Sequence, residues 1–119
     1  MHSVGVDIIE TERIQAALVR WGERFLCRVY SAAEVKRCAG RVPELAVRFA
    51  AKEAVAKALG TGMHGVAWTE IEILSDHRGK PGIRLYGRAE ARARELGLSE
   101  FAVSLSHSSQ LAIAFVVAS

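Results

Sequence analysis

The chain has 119 residues, 50% of them hydrophobic and 24% charged, with a formal charge of +3. That is long enough for one core and too apolar for a disordered segment. No apolar run approaches the roughly 20 residues a membrane span needs. One domain over residues 1–119 is therefore expected. Met1-His2-Ser3 leads straight into a strand-like run without a signal-peptide pattern, so a cytoplasmic protein is expected. Cys27 and Cys38 lack metal-site or redox spacing and read as free thiols.

Ser3 to Ile9 alternates, with Val4, Val6 and Ile8 on one side and Gly5, Asp7 and Ile9 on the other. Asp7 is out of place in a half-buried strand, because a buried carboxylate costs free energy unless it is paired or binds a metal. The plainer alternative is a strand-end Asp capping the next helix. Thr11 can cap a helix running to about Val19 or Arg20, and Trp21 to Tyr30 continues as a second helical piece after Gly22. Ser31 and Glu34 form a capping box for a short helix ending at Gly40.

From Arg13 to Arg41 seven basic residues (Arg13, Arg20, Arg24, Arg28, Lys36, Arg37, Arg41) stand against two acids, Glu23 and Glu34. A local basic surface attracts an acidic partner, either nucleic acid or an acidic protein. Ile14, Leu18, Phe25, Leu26 and Val29 lie among these charges, with few aromatics for base stacking. The stretch therefore suits an amphipathic partner better than a phosphate track.

Pro43 fits the first turn of a long central helix. Its core, Arg48 to Gly62, reads R-F-A-A-K-E-A-V-A-K-A-L-G-T-G, and Gly60 stops it. At 3.6 residues per turn, Val47, Ala50, Ala51, Ala54, Val55 and Ala58 form one small apolar arc. Arg48, Lys52, Glu53 and Lys57 fall on the opposite arc, beside Phe49. One reading of that arc is a solvated face with a Glu–Lys pair. The other is a site for a metal ion and phosphates, since Gly60-Thr61-Gly62 follows at once with backbone N–H groups free to meet an anion.

Thr69 to Ser75 reads as a strand, Asp76 to Gly79 as a turn and Ile83 to Tyr86 as the returning strand, with Lys80-Pro81 at the mouth of the hairpin. Arg88 to Leu96 reads as a helix closed by Gly97. Phe101 to His107 alternates again, with Phe101, Val103, Leu105 and His107 on one face. Leu111 to Val117 is the last strand. This order gives an α+β domain. His107, between Ser106 and Ser108, is either a structural side chain or part of a phosphate site.

Three motifs stand in order: Gly5-Val-Asp7-Ile-Ile-Glu10, Phe49-Ala-Ala-Lys52-Glu53-Ala-Val-Ala-Lys57, and Ser104-Leu-Ser106-His107-Ser108. With Gly-Thr-Gly after the second, the chain resembles the 4'-phosphopantetheinyl transferases, in particular the short single-lobe holo-acyl-carrier-protein synthases. The resemblance implies an antiparallel sheet packed against the long central helix. It implies transfer of the phosphopantetheine arm of coenzyme A, the co-substrate, to a serine of apo acyl carrier protein. Adenosine 3',5'-bisphosphate is the other product, and fatty acid biosynthesis is the setting.

By the same resemblance, Asp7 and Glu53 match magnesium ligands, and Lys57 matches the lysine near the pyrophosphate. Arg48, Phe49, Lys52, Gly60, Thr61 and Gly62 lie in the coenzyme-binding region, and Lys80 and Pro81 match a turn near the nucleotide. Ser106 and His107 match a pair that meets the 3'-phosphate. On the basic helices Arg13, Arg24 and Arg28 would dock the carrier, with Phe25 packing on its apolar face. Two-lobe relatives have an acid where this chain has Ile9. The serine proton could pass to Glu53 or to a metal-bound water.

In two-lobe relatives the Ser-His strand precedes the aspartate strand of the next lobe. Here it lies at the far end of the chain, so a trimer with sites shared between subunits is expected. The competing readings are a basic nucleic-acid-binding domain without catalysis and a purely structural oligomer. Asp7, Glu53 and the Gly-Thr-Gly loop speak for the enzyme.

Overall fold

A computed structural model describes residues 1–119. The chain runs β1 (Ser3–Glu10), α1 (Thr11–Trp21), α2 (Glu23–Val29), α3 (Ala32–Cys38), α4 (Val42–Ala58), β2 (Ile71–Ser75), β3 (Pro81–Leu85), α5 (Gly87–Glu95), β4 (Phe101–His107) and β5 (Leu111–Ala118). Two 3-10 turns, Gly62–His64 and Trp68–Glu70, lie between α4 and β2. The expected α+β class is the observed one.

One antiparallel sheet has the order β1-β5-β4, so the first strand pairs with the last. Asp7 stands opposite Ala114, and Ala114 opposite Leu105. The second sheet is the β2–β3 hairpin. Strand pairing alternates the faces of the main sheet. One face carries Gly5, Asp7, Ile9, Ala112, Ala114, Val116 and Ala118, and α4 lies on it. The small residues are there because α4 comes close: a methyl group on Gly5 would overlap the carbonyl oxygen of Ala54.

The other face is apolar and uncovered. Val4, Val6 and Ile8 of β1 are exposed there, beside Leu111, Ile113 and Phe115 of β5. Half-burial of β1 thus holds, with Val4, Val6 and Ile8 on the open side of a single chain.

Helix α4 starts with Pro in its first turn and stops before Gly60, whose φ of +73° few other residues adopt. It is buried almost all round, including Arg48 and Lys52. The two-faced reading of this helix is therefore corrected, because α3 and the β2–β3 hairpin cover much of what had read as a polar arc. The Ser31–Glu34 capping box is present. Thr11, expected to cap α1, is its first helical residue instead, and its hydroxyl donates to the Ser109 carbonyl. The strand expected from Thr69 starts at Ile71, because Trp68–Glu70 winds as a 3-10 turn. The strand expected from Ile83 to Tyr86 spans Pro81–Leu85. Pro81 is tolerated because it is the strand's first residue.

Candidate active site

The seam between β1 and α4 gathers the chain's acidic site. Asp7 points toward α4, since the register of β1 puts Gly5, Asp7 and Ile9 on the covered face. Gly5 lets the helix approach, and Ser3 Oγ donates to the carbonyl of Ala58 and ties the helix end to the strand. Lys57 Nζ donates to Asp7 Oδ1 at 3.0 Å and to the Val6 carbonyl at 2.9 Å. Its side chain remains half exposed, whereas that of Asp7 is largely covered.

Glu53 stands one turn before Lys57 on the same helix and is half-buried. Its pKa is raised, first by burial and then by the negative charge of Asp7, with Arg13 and Lys57 acting against the shift. Two carboxylates that repel each other make a natural cradle for a hard cation that prefers oxygen ligands. Asp7 and Glu53 fit such an ion, although no third acid or His joins them in a cluster. Arg13, expected on the carrier-binding surface, lies close enough to act on Glu53.

At the other end of α4, a cavity of about 350 Å³ brings together Arg37, Glu44, Arg48, Ser75, Pro81 and His107. Arg48 is buried. Its guanidinium donates to the Glu44 carboxylate at 2.8 Å and to Ser75 Oγ at 3.3 Å. Its Nε–H has no partner, and a buried unpaired donor is costly. The Arg48 hydrogen bond, set against partial burial, holds the Glu44 carboxyl below its usual range. Arg48, Pro81 and His107 of one chain are thus brought together. Ser106 is not among the residues that line the cavity, although Ser104 and Leu105 are; it is exposed, with Ile113 as its strand partner. Lys80 is exposed on the hairpin turn, its N–H donating to Asp76.

Arg48 and Lys57 are nine residues apart on one helix, which is about 13 Å along its axis. The Arg48–His107 cavity and the acidic seam are therefore two separate stations on the chain. Between them Lys52 is fully buried. It donates to Glu34 Oε1 at 2.8 Å and to the carbonyls of Trp68 and Ile71. All three of its donors are used inside the protein, so the expectation that it binds the coenzyme is corrected. Gly60, Thr61 and Gly62 form the turn that leaves α4, with positive φ at both glycines. The expectation that its N–H groups are free for an anion is corrected for two of them, since Gly60 N–H donates to the Lys57 carbonyl and Thr61 N–H to the Ala56 carbonyl.

A second cavity, about 430 Å³, lies between α1, α2 and α4. Its walls are Trp21, Phe25, Phe49 and Trp68, with Arg24 and Arg28 at the edge. Phe49 stacks on Trp68 at 4.5 Å and lies 6.4 Å from Phe25. Arg20 and Arg24 both lie over the ring of Trp21. Arg24, Phe25 and Arg28 are thus together, while Phe49 forms the wall of this cleft. Sequence reasoning missed Trp21, Trp68, Arg37 and Glu44. The i, i+4 spacing of Glu44 and Arg48 was readable, and so was the Ala17, Trp21, Phe25, Arg28 stripe across the Gly22 break. Nothing local marks Trp68.

The profile of the 4'-phosphopantetheinyl transferase superfamily matches residues 3–116. The chain is 54% identical over 124 residues to the holo-[acyl-carrier-protein] synthase of Herpetosiphon aurantiacus, covering 98% of each chain. It is 52% identical over 118 residues to the enzyme of the same name from Dehalococcoides mccartyi, covering 99% of this chain and 98% of that one. Its fold is similar to that of the Helicobacter pylori holo-[acyl-carrier-protein] synthase in complex with coenzyme A. The TM-score is 0.89 at 31% identity, covering 98% of this chain and 99% of the other.

Proposed function

The chain belongs to the 4'-phosphopantetheinyl transferase superfamily, and on that premise we propose that it transfers the 4'-phosphopantetheine group of coenzyme A to a serine hydroxyl of an apo acyl carrier protein. The observation that carries this reading is the acidic seam, where Asp7 accepts from Lys57 and Glu53 stands one turn away. A nucleic-acid-binding domain has no use for such a seam, and no relative named above supports that alternative.

In the reaction the serine oxygen attacks the phosphorus that bears the pantetheine arm. A new P–O bond forms, the pyrophosphate bridge breaks, and adenosine 3',5'-bisphosphate leaves. Positioning and charge neutralisation do most of the work in such chemistry. Lys57, pinned by Val6 and Asp7 and still open to solvent, meets the negative charge that grows on the leaving phosphate. Asp7 and Glu53 hold magnesium, which when bound neutralises pyrophosphate charge. Burial and the nearby Asp7 charge raise the pKa of Glu53 in the metal-free protein, a cost that a bound cation would offset.

The Gly60–Gly62 turn, just beyond Lys57, lies along the pyrophosphate. Arg48 and His107 receive the 3'-phosphate, and the free Nε–H of Arg48 is the donor that an anion would satisfy. Because these stations lie apart on one chain, the pair comes from a neighbouring subunit of a trimer. The uncovered apolar face of β1 and β5 supplies a surface for that assembly. Arg24 and Arg28, with the aromatic cleft beside them, dock the acidic carrier, and the setting is cytoplasmic fatty acid synthesis. No helix is long and apolar enough to cross a membrane.

The test is to incubate the protein with coenzyme A, magnesium and an apo carrier protein, and to weigh the carrier by mass spectrometry. A carrier heavier by one phosphopantetheine is expected. An unmodified carrier, with coenzyme A unbound, would refute the reading.

A further inference from the structure

We infer that Arg92 on α5 is a positioning residue for the Gly60–Gly62 turn, and through it for the pyrophosphate of coenzyme A. The inference rests on the transferase reading above, which lays that turn along the pyrophosphate.

It starts from the end of α4. A helix leaves its last carbonyls without internal partners, and here each has found one. Val55 O accepts from Leu59 N, Ala56 O from Thr61 N, and Lys57 O from Gly60 N. Ala58 O accepts from Ser3 Oγ. Leu59 O accepts from Arg92 Nε at 3.0 Å. The first three of these bonds come from α4 or the turn itself and the fourth from β1. The fifth arrives from α5, 33 residues away in sequence.

The Arg92 guanidinium does not stop at that carbonyl. One terminal nitrogen lies 3.6 Å from the point where a Cβ on Gly60 would stand. Glu95 lies 3.7 Å from the other terminal nitrogen, a loose and largely exposed ion pair. Helix α5 is itself anchored, with Ala89 and Ala93 buried and Glu70 accepting from the backbone of Arg88 at its start. Arg92 thus ties a fixed element to a turn whose glycines, at φ +73° and +58°, give it wide conformational freedom.

Electrostatics favours the same role. The C-terminus of a helix carries partial negative charge. A turn that must meet a pyrophosphate is poorly placed there unless a cation offsets that charge. Lys57 serves the strand side of the helix end, and Arg92 serves the side of Gly60. Nothing in the three family-like motifs calls for a basic residue at this position.

The test compares wild type with Arg92→Ala and Arg92→Lys. The loss of one hydrogen bond from a charged donor is expected to raise the KM for coenzyme A about tenfold in Arg92→Ala, with kcat and the KM for the carrier within about twofold of wild type. Amide exchange at Gly60 and Thr61 should quicken, while exchange in β5 should not. Arg92→Lys should recover most of the coenzyme A affinity. A KM for coenzyme A unchanged in folded Arg92→Ala, unaltered exchange at Gly60 and Thr61, or a Lys variant no better than Ala would each overturn the role. If Arg92→Ala does not fold, Arg92→Met keeps the aliphatic stem and is read in the same way. Wild-type protein that neither binds coenzyme A nor modifies the carrier would overturn the transferase reading instead.

Discussion

Lys52 and Glu34 form an ion pair at 2.8 Å with neither side chain exposed at all. Glu34 also accepts from the backbone of Ser31 and Ile73, and Lys52 donates to Trp68 and Ile71. This one pair joins α3, α4 and the start of the β2–β3 hairpin. Removing either partner leaves a buried charge alone. Lys52→Ala and Glu34→Ala should therefore each cost about 3–5 kcal/mol, while Glu34→Leu with Lys52→Met should cost far less. Denaturant unfolding measures this. A Lys52→Ala variant of undiminished stability that had lost coenzyme A would restore Lys52 as a ligand contact.

Gly5 sets the distance between β1 and α4. Gly5→Ala puts a methyl group into the Ala54 carbonyl, which is backbone and cannot turn aside. Overpacking of this kind costs about 1–3 kcal/mol. The greater effect should fall on activity, since Lys57 spans the same seam to Asp7. Transfer should drop by more than tenfold, as a displacement of about 1 Å can cost 10²-fold. A folded Gly5→Ala protein of wild-type activity would show that the close approach is unnecessary.

What was legible in the sequence was local. The capping box, the Gly60 stop and the alternation of β4 all depend on neighbours a few residues apart. The fate of Lys52 was not legible, because its partners lie 18 and 19 residues away and its helix has charged residues that look solvated. Nor was the pairing of β1 with β5, which leaves Val4, Val6 and Ile8 uncovered. Asp7 and Glu53 stood out in the sequence because a carboxylate between two apolar strand residues, and a lone carboxylate among three cations on a helix that runs into Gly-Thr-Gly, are each unusual in themselves.

The raised pKa of Glu53 has a stability consequence in the metal-free protein. Burial and the Asp7 charge raise it above its unfolded value. Between the unfolded and the folded pKa the native state holds more protons, so stability falls as pH rises through that window. Above the folded pKa the full cost remains. Glu53→Gln should therefore melt at a higher temperature than wild type at pH 7 in the presence of a chelator, and the gap should close below the unfolded pKa, near pH 4. Equal melting at both pH values would remove the cost of the Glu53 charge, from burial and from Asp7, from the account.

The shared site has its own test. If Asp7 and Glu53 of one subunit face Arg48 and His107 of another, Glu53→Ala and His107→Ala chains should complement each other. Co-assembled, they should recover activity that neither has alone, given that His107→Ala is itself severely impaired and mixed assembly is confirmed. Phe115→Asp, on the uncovered sheet face where Phe115 is 46% exposed, should give a monomer of low activity by ultracentrifugation and assay. A fully active monomer would place the whole site within one chain.

The most direct measurement is transfer by Asp7→Ala and Glu53→Ala, each shown to be folded, with coenzyme A, ordinary magnesium and an apo carrier weighed by mass spectrometry. The expected result is a carrier fully converted by wild type and left unmodified by both variants, because each loses one of the two carboxylates at the β1–α4 seam. Normal conversion by either variant would contradict the assignment of that seam as the centre of the reaction.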